Sequence, residues 1–385
     1  MTIARSYNPL HPRIHADPYP TYREMRREAP VHWHDGLQLW FLSKHSDVTG
    51  VLRDTSFSSA QALRSRGLGS SLIFTDPPDH TRLRALVGKA FTPGVIRKLQ
   101  SRITVIVHDL LDRAAEKNEM EFVSDFAHPF PVTVIAELLG VPAEDRDRFR
   151  QWADTLAYGV EPVVSNDTVE RVRAARHELS SYLAGIASIR RQAPQEDLIS
   201  RLATVEERGD GLTEKELLAL CGQLLVAGHF TTSNFLGSGM LALLQHPEQL
   251  RSLRQEANLL DSAIEELLRY TSPTQFMSRR ATRDAMLSGH HIGAGQLVVT
   301  MVAAANRDPE VFHNAETLDL RRHPNSHLAF GQGPHFCLGA ALARLEARIA
   351  IQAILERFPT IHLGGEPKLG PTIVVRGLEQ LPLSF

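Results

Sequence analysis

Cysteine is scarce in this chain: it occurs only at Cys221 and Cys337. Two cysteines so far apart cannot build a disulfide framework, and a reducing, intracellular setting fits better. An excess of one charge is also missing. Lys and Arg number 42 against 44 Asp and Glu, for a formal net charge of −2, and neither half of the chain is strongly basic, which argues against a nucleic-acid partner. No apolar run approaches the ~20 residues of a membrane-spanning helix; the longest with strand character is Leu297 to Ala305. The start, Met1-Thr-Ile-Ala-Arg-Ser-Tyr-Asn-Pro, lacks the apolar core of a signal peptide. The expectation is a cytoplasmic protein with no membrane contact. Repeats, low-complexity tracts and Gly/Ser/Pro-rich linkers are absent as well, so residues 1–385 read as a single domain.

What is present is mostly helical pattern. Helices are expected from about Pro142, over Thr168 to Arg191, over Leu198 to Glu207, and from Thr213 onward. Thr213-Glu-Lys-Glu216 is a capping box, in which hydroxyl and carboxylate each satisfy an orphan backbone donor. The stretch behind it, Leu217 to Leu244, is apolar on almost every face and must be buried. Strand signals are fewer: Gln296 to Ala303 and Thr372 to Val375 by their β-branched residues, and short extended runs within His32 to Ser43. The fold class is mainly α with small β-sheets.

The sharpest motif is Phe330-Gly-Gln-Gly-Pro-His-Phe-Cys337-Leu-Gly339, followed by helical pattern from Ala340 to Glu356. A lone cysteine is ordinarily a small buried hydrophobe, the reading that suits Cys221. That reading does not account for three glycines and a histidine around Cys337. Glycines permit a tight turn and close approach, and a following helix N-terminus favours an anion. Together they suit a thiolate, the axial ligand of an electron-donating haem.

This segment resembles the cysteine loop of the cytochrome P450 superfamily, the haem-thiolate monooxygenases, and matches Phe-Gly-x-Gly-x-His-x-Cys-x-Gly at every fixed position. The resemblance implies Cys337 as proximal ligand of haem b (iron protoporphyrin IX), with Phe330, Gly331 and Gly339 shaping the loop. It also implies one cytochrome P450 domain with the haem between the long buried helix and the cysteine-loop helix. In the family a Glu-x-x-Arg pair joins a downstream arginine to brace the core; Glu266, Arg269 and Arg322 stand at those positions as structural residues. Haem propionates need cationic or hydrogen-bonding partners. By position His80 and Arg84, in Asp76-Pro-Pro-Asp-His80-Thr-Arg-Leu-Arg84, take that role, with Arg279 and His335. Arg280 points elsewhere if its segment is extended.

Within the buried helix, Ala227-Gly-His-Phe-Thr-Thr232 resembles the family's oxygen-activating segment. Gly228 is expected to let oxygen approach the backbone, and Thr231 to hold it or a water. The family's acid is replaced by Phe230, which can neither donate nor accept a proton. His229 is no obvious substitute, because two helical steps turn it roughly 200° from Thr231. Three consequences stay open: proton delivery through water and Thr231, use of hydrogen peroxide, or coupling, desaturation or rearrangement chemistry.

The resemblance implies a monooxygenase acting on a small organic substrate of bacterial secondary metabolism, as a monomer. The chain has no flavin- or iron–sulfur-binding motif of its own, so electrons are expected from ferredoxin and ferredoxin reductase, with Arg344 and Arg348 as docking candidates. Expected pocket walls are Ala60 to Leu72, Thr274 to Met277 and the stretch around Val374. The competing classes are a non-catalytic haem sensor, which has no need of the Gly228 and Thr231 pattern, and a cysteine hydrolase using His335, for which nothing supplies an orienting acid.

Overall fold

The computed structural model describes residues 7–60, 62, 71–89, 91–161, 164–206 and 212–385. It is mainly helical with small sheets. In chain order the helices are Tyr19–Glu28 (α1), His45–Arg53 (α2), Asp79–Gly88 (α3), Pro93–Ala115 (α4), Pro129–Leu139 (α5), Arg146–Ala157 (α6), Asn166–Gln192 (α7), Leu198–Glu206 (α8), Glu214–Gln245 (α9), Pro247–Gln255 (α10), Leu260–Thr271 (α11), Val302–Ala305 (α12) and Ala340–Arg357 (α13). Contacts divide the described residues into two compact units. The first draws on 1–69, 246–337 and 373–376, and the second on 70–245, 338–372 and 377–385.

The first unit is built on a five-stranded sheet. Val31–His34 and Leu39–Leu42 form an antiparallel hairpin, Leu39–Leu42 runs parallel to Leu297–Met301, and Phe276–Ala281 pairs antiparallel with Leu297–Met301. Phe57–Ser58 closes the far edge against Phe276–Ala281. Val298, Val299 and Met301 are all buried, as a central strand covered on both faces requires. The strand is shorter than its β-branched pattern suggests. It ends at Met301, and the alanines that follow turn into α12, where good helix formers take over. Thr372 to Val375 is not a strand either. That stretch contributes a single bridge, Thr274 to Val375, flanked by the bonds Gln275 N–H to Val374 O and Arg376 N–H to Pro273 O. Pro371 and Gly377 bracket the run and leave no room for a longer ladder.

Charge is buried in this unit, and every N–H of Arg269 is matched. Glu266 and Arg269, one turn apart on α11, are both 0% exposed. Arg269 meets both Glu266 oxygens, at 2.7 and 2.8 Å, and its remaining N–H groups reach the carbonyls of Asn306, Ala315 and Thr317. Arg322 Nε, Asn325 Nδ2 and the Asp319 N–H complete the carboxylate. The brace continues to the cysteine loop, because Asn306 Oδ1 accepts the Leu328 N–H and Leu328 O accepts the Gly331 N–H. The expected structural role of Glu266, Arg269 and Arg322 matches this geometry.

The second unit is a helical body around α9. The capping box forms: Thr213 Oγ1 accepts the Glu216 N–H at 3.2 Å, and Glu216 accepts the Thr213 N–H at 2.8 Å. None of Leu217 to Leu244 is exposed, so the all-round apolar pattern corresponds to a buried helix. Its neighbours in a large apolar cluster include Phe122, Phe126 and Phe130, whose rings stack in succession. Among the described residues, no helix is long and apolar enough to cross a membrane.

Candidate active site

In the first unit, the chain around Cys337 is held in one shape by its glycines and backbone hydrogen bonds. Gly331 and Gly333 have φ of +69° and +71°, the left-handed region. At Gly333 the requirement is absolute: a Cβ would lie 2.5 Å from the Leu52 carbonyl oxygen, which is backbone and cannot move aside. A single 3₁₀ turn, Gly333–His335, follows. The Cys337 N–H then donates to Phe330 O at 2.8 Å and closes the loop. Phe330 is buried and packs its ring 5.9 Å from His327 and 6.3 Å from Phe336. Gly339 is different. A Cβ there would meet nothing within 4 Å, and its φ of −85° suits any residue, so nothing within the second unit requires glycine at that position.

The two cysteines have opposite surroundings. Cys221 is 1% exposed inside α9. Burial, aided by the negative charge of Asp197, pushes its thiol up to about 12, so it stays protonated and inert. Cys337 is half-buried and carries no disulfide. A half-buried thiol at the end of a glycine-fixed loop fits an iron bound through sulfur.

The other sequence-predicted cofactor residues fall on both units. Arg279 lies in the strand Phe276–Ala281 with its side chain buried, while neighbouring Arg280 faces out and donates to Gly295 O, as the alternation of a strand dictates. His335 is half-buried in the cysteine loop. In the second unit His80 and Arg84 stand one turn apart on α3, His80 buried and Arg84 half-buried. The expected substrate loop 60–72 lies outside the described residues except for Ala60, Ala62, Ser71 and Leu72. Arg344 is half-buried and Arg348 exposed on α13.

On α9, a Cβ at Gly228 would come within 2.5 Å of Ile135 Cδ1, so the missing side chain makes room for α5 to pack against α9. Thr231 Oγ1 donates to the Ala227 carbonyl at 2.6 Å and keeps its own lone pairs available. Phe230 is half-buried, and its carbonyl accepts from Asn234 Nδ2 at 2.8 Å. His229 faces Asp154 and Ser233.

One residue went unnoticed in the sequence. Glu346 on α13 is 1% exposed. Burial holds its carboxyl well above the usual carboxylate range, offset in part by the Thr232 side chain. Its Oε1 has no hydrogen-bond partner among the described residues. The signal was present: Leu342, Glu346, Ala350 and Ile354 recur every fourth residue on the buried stripe of α13, and one of the four is an acid.

Comparison with known proteins gives the family. The family model described as Cytochrome P450 matches residues 30–373. Polyketide biosynthesis cytochrome P450 PksS of Bacillus subtilis (strain 168) is 38% identical, over 98% of both chains. Cytochrome P450 monooxygenase PikC of Streptomyces venezuelae is 41% identical, over 96% of this chain and 91% of that one. The solved structure of P450BioI, in complex with an acyl carrier protein ligated with hexadec-9Z-enoic acid, has a TM-score of 0.92 at 37% identity, covering 97% of this chain and 99% of that one. A glycine-held cysteine loop on this fold, together with likeness along almost the whole chain, leaves one conclusion: the protein belongs to the cytochrome P450 family, the monooxygenases whose cofactor is haem b.

Proposed function

We propose that residues 1–385 act as one cytochrome P450 domain that oxidises a small organic substrate of bacterial secondary metabolism, as a cytoplasmic monomer. Electrons come from a separate ferredoxin and ferredoxin reductase. The observation that carries the reading is the Cys337 loop, closed by the Cys337-to-Phe330 hydrogen bond and fixed by Gly333. Cys337 ligates the haem iron. His80, Arg84, Arg279 and His335 receive the propionates, and Phe330, Gly331 and Gly339 shape the thiolate side. When bound, the haem supplies the iron at which dioxygen is reduced and an oxygen atom passes to substrate.

The chain's own residues manage the protons and the substrate. The Thr231 hydrogen is already given to Ala227 O, so its oxygen is free to accept from a water and hold it in place. Glu346 keeps a proton in a dry environment beside Thr232, a reserve for that stretch of α9 now that Phe230 cannot provide one. Phe230 presents apolar surface where the family has an acid, which lowers the access of water there. The relatives support an apolar, acyl-like substrate: one is a polyketide biosynthesis enzyme, and one was solved with a carrier-bound fatty acid. Phe230 also favours a second reading, in which the enzyme uses peroxide or catalyses coupling, desaturation or rearrangement.

The test is to supply ferredoxin, its reductase and NADH, and to measure the fraction of electrons recovered in product. Phe230→Glu raises that fraction and Glu346→Gln lowers it if protons limit the reaction. A yield unchanged by both substitutions rejects this account of proton supply.

A further inference from the structure

A second group of metal-ligating side chains lies in the second unit, and the haem chemistry makes no use of it. His128, Asp154 and His229 place one donor atom each within 4.8 Å of one another. They come from three elements: the residue preceding α5, the body of α6 and the middle of α9. His128 follows a π-helical turn, Val123–Ala127, the kind of rare backbone insertion that re-aims side chains and is often found at functional sites. The rings of His128 and His229 meet edge to face with centroids 5.4 Å apart.

The hydrogen-bond pattern leaves a place for a cation. The Ser233 hydroxyl donates to the His229 carbonyl at 2.9 Å, the usual bond of a helical serine to the preceding turn. Its single hydrogen is thereby spent, so its oxygen accepts from His229 Nδ1, which lies 3.2 Å away. Nδ1 then carries the ring proton, and Nε2 points a lone pair at Asp154 Oδ1, 2.9 Å distant. Two electron-pair donors face each other, and something positive belongs between them. A proton would need only those two groups. The third donor, His128, is what a metal ion calls for.

We propose that His128, Asp154 and His229 form a binding site for a divalent cation of the zinc class. Two imidazoles and a carboxylate are a known zinc donor set that leaves a fourth position for water. Ligands about 2.0–2.2 Å from zinc lie about 3.3 Å from each other in a tetrahedron. His128 and Asp154 are both partly exposed and can swing to that spacing, while His229, 0% exposed and held by Ser233, is the fixed member. Ser233 acts as the outer partner that orients a metal-bound imidazole. A nearby cation, Arg150, is within salt-bridge distance of Asp147 at 3.7 Å. Because His229 sits between Gly228 and Phe230, an ion at this site ties the oxygen-activating stretch of α9 to α6 and to the start of α5. The site stands on its own geometry and does not depend on the substrate or on proton delivery.

The experiment is equilibrium dialysis of the chelator-stripped holoenzyme against zinc, with metal content read by mass spectrometry and the melting temperature recorded with and without zinc. Expected is one equivalent of tightly held zinc per chain and a raised melting temperature. His128→Leu and Asp154→Asn each weaken binding at least tenfold, with the haem spectrum retained. His291→Ala, which removes the exposed pairing with Asp284, changes neither readout. Absence of a stoichiometric equivalent in the wild-type protein overturns the proposal, as does unchanged affinity in either ligand variant.

Discussion

Glu266 and Glu346 are both almost completely buried, and the fold treats them in opposite ways. Glu266 in the first unit is met by two arginines, an asparagine side chain and a backbone N–H. Glu346 in the second unit has no arginine or lysine beside it among the described residues, only Thr232 as polar neighbour, and burial raises its pKa. The lesson is that burial does not decide what a carboxyl does; its partners do. A carboxylate ringed by donors fastens three segments of chain together. One left in an apolar setting holds on to its proton.

The largest effect that would break this contrast is removal of Arg269. Arg269→Ala strands a charge at 0% exposure, and a loss of about 3–5 kcal/mol is expected in urea unfolding of the holoenzyme. A loss under about 1 kcal/mol would show that the cluster is not the brace described here. Arg190 and Asp197 form a less enclosed pair, 10% and 6% exposed and 2.5 Å apart. Arg190→Ala should cost less, about 2 kcal/mol, by the same measurement. At the surface the pair of Arg357 and Asp112 is at least half-exposed, and Arg357→Ala should change stability by about 0–1 kcal/mol. The order of the three losses should follow burial.

Glu346→Gln sharpens the other side of the comparison through pH. The native state holds the Glu346 proton more tightly than the unfolded chain does, because its folded pKa is raised. Its contribution to stability is therefore complete below the unfolded carboxyl value and declines as pH rises toward the folded one, by at most about 1.4 kcal/mol per pH unit. Glutamine has no proton to lose. The variant should match the wild type near pH 4.5 and gain on it steadily toward pH 8 in denaturant titrations. Parallel curves across that range would mean that Glu346 is ionised in the native protein.

Local chemistry was the legible part of the sequence. The capping box at Thr213 and Glu216, the all-round apolar α9 and the left-handed turns at Gly331 and Gly333 each form as their residue types suggest. The misreadings came where tertiary context decided. Thr372 to Val375 has strand composition but sits between Pro371 and Gly377 and finds room for only one bridge. Leu297 to Met301 is cut short where alanines turn into α12. The packing of Ile135 against the side a Gly228 Cβ would take comes from another helix and was equally out of sight. Glu346, and the meeting of His128, Asp154 and His229, were hidden for the same reason. Their partners are far away in the chain, and single-sequence periodicity carries no record of which helix faces which.

The claim on which the rest depends is that the Cys337 sulfur holds iron as a thiolate while Cys221 does not. The absorbance spectrum of the reduced, carbon monoxide-bound protein tests it directly. The wild type and Cys221→Ser should both show the strongly red-shifted band of a thiolate-ligated haem, and Cys337→Ser should lose it. A red-shifted band that survives in Cys337→Ser would contradict the assignment.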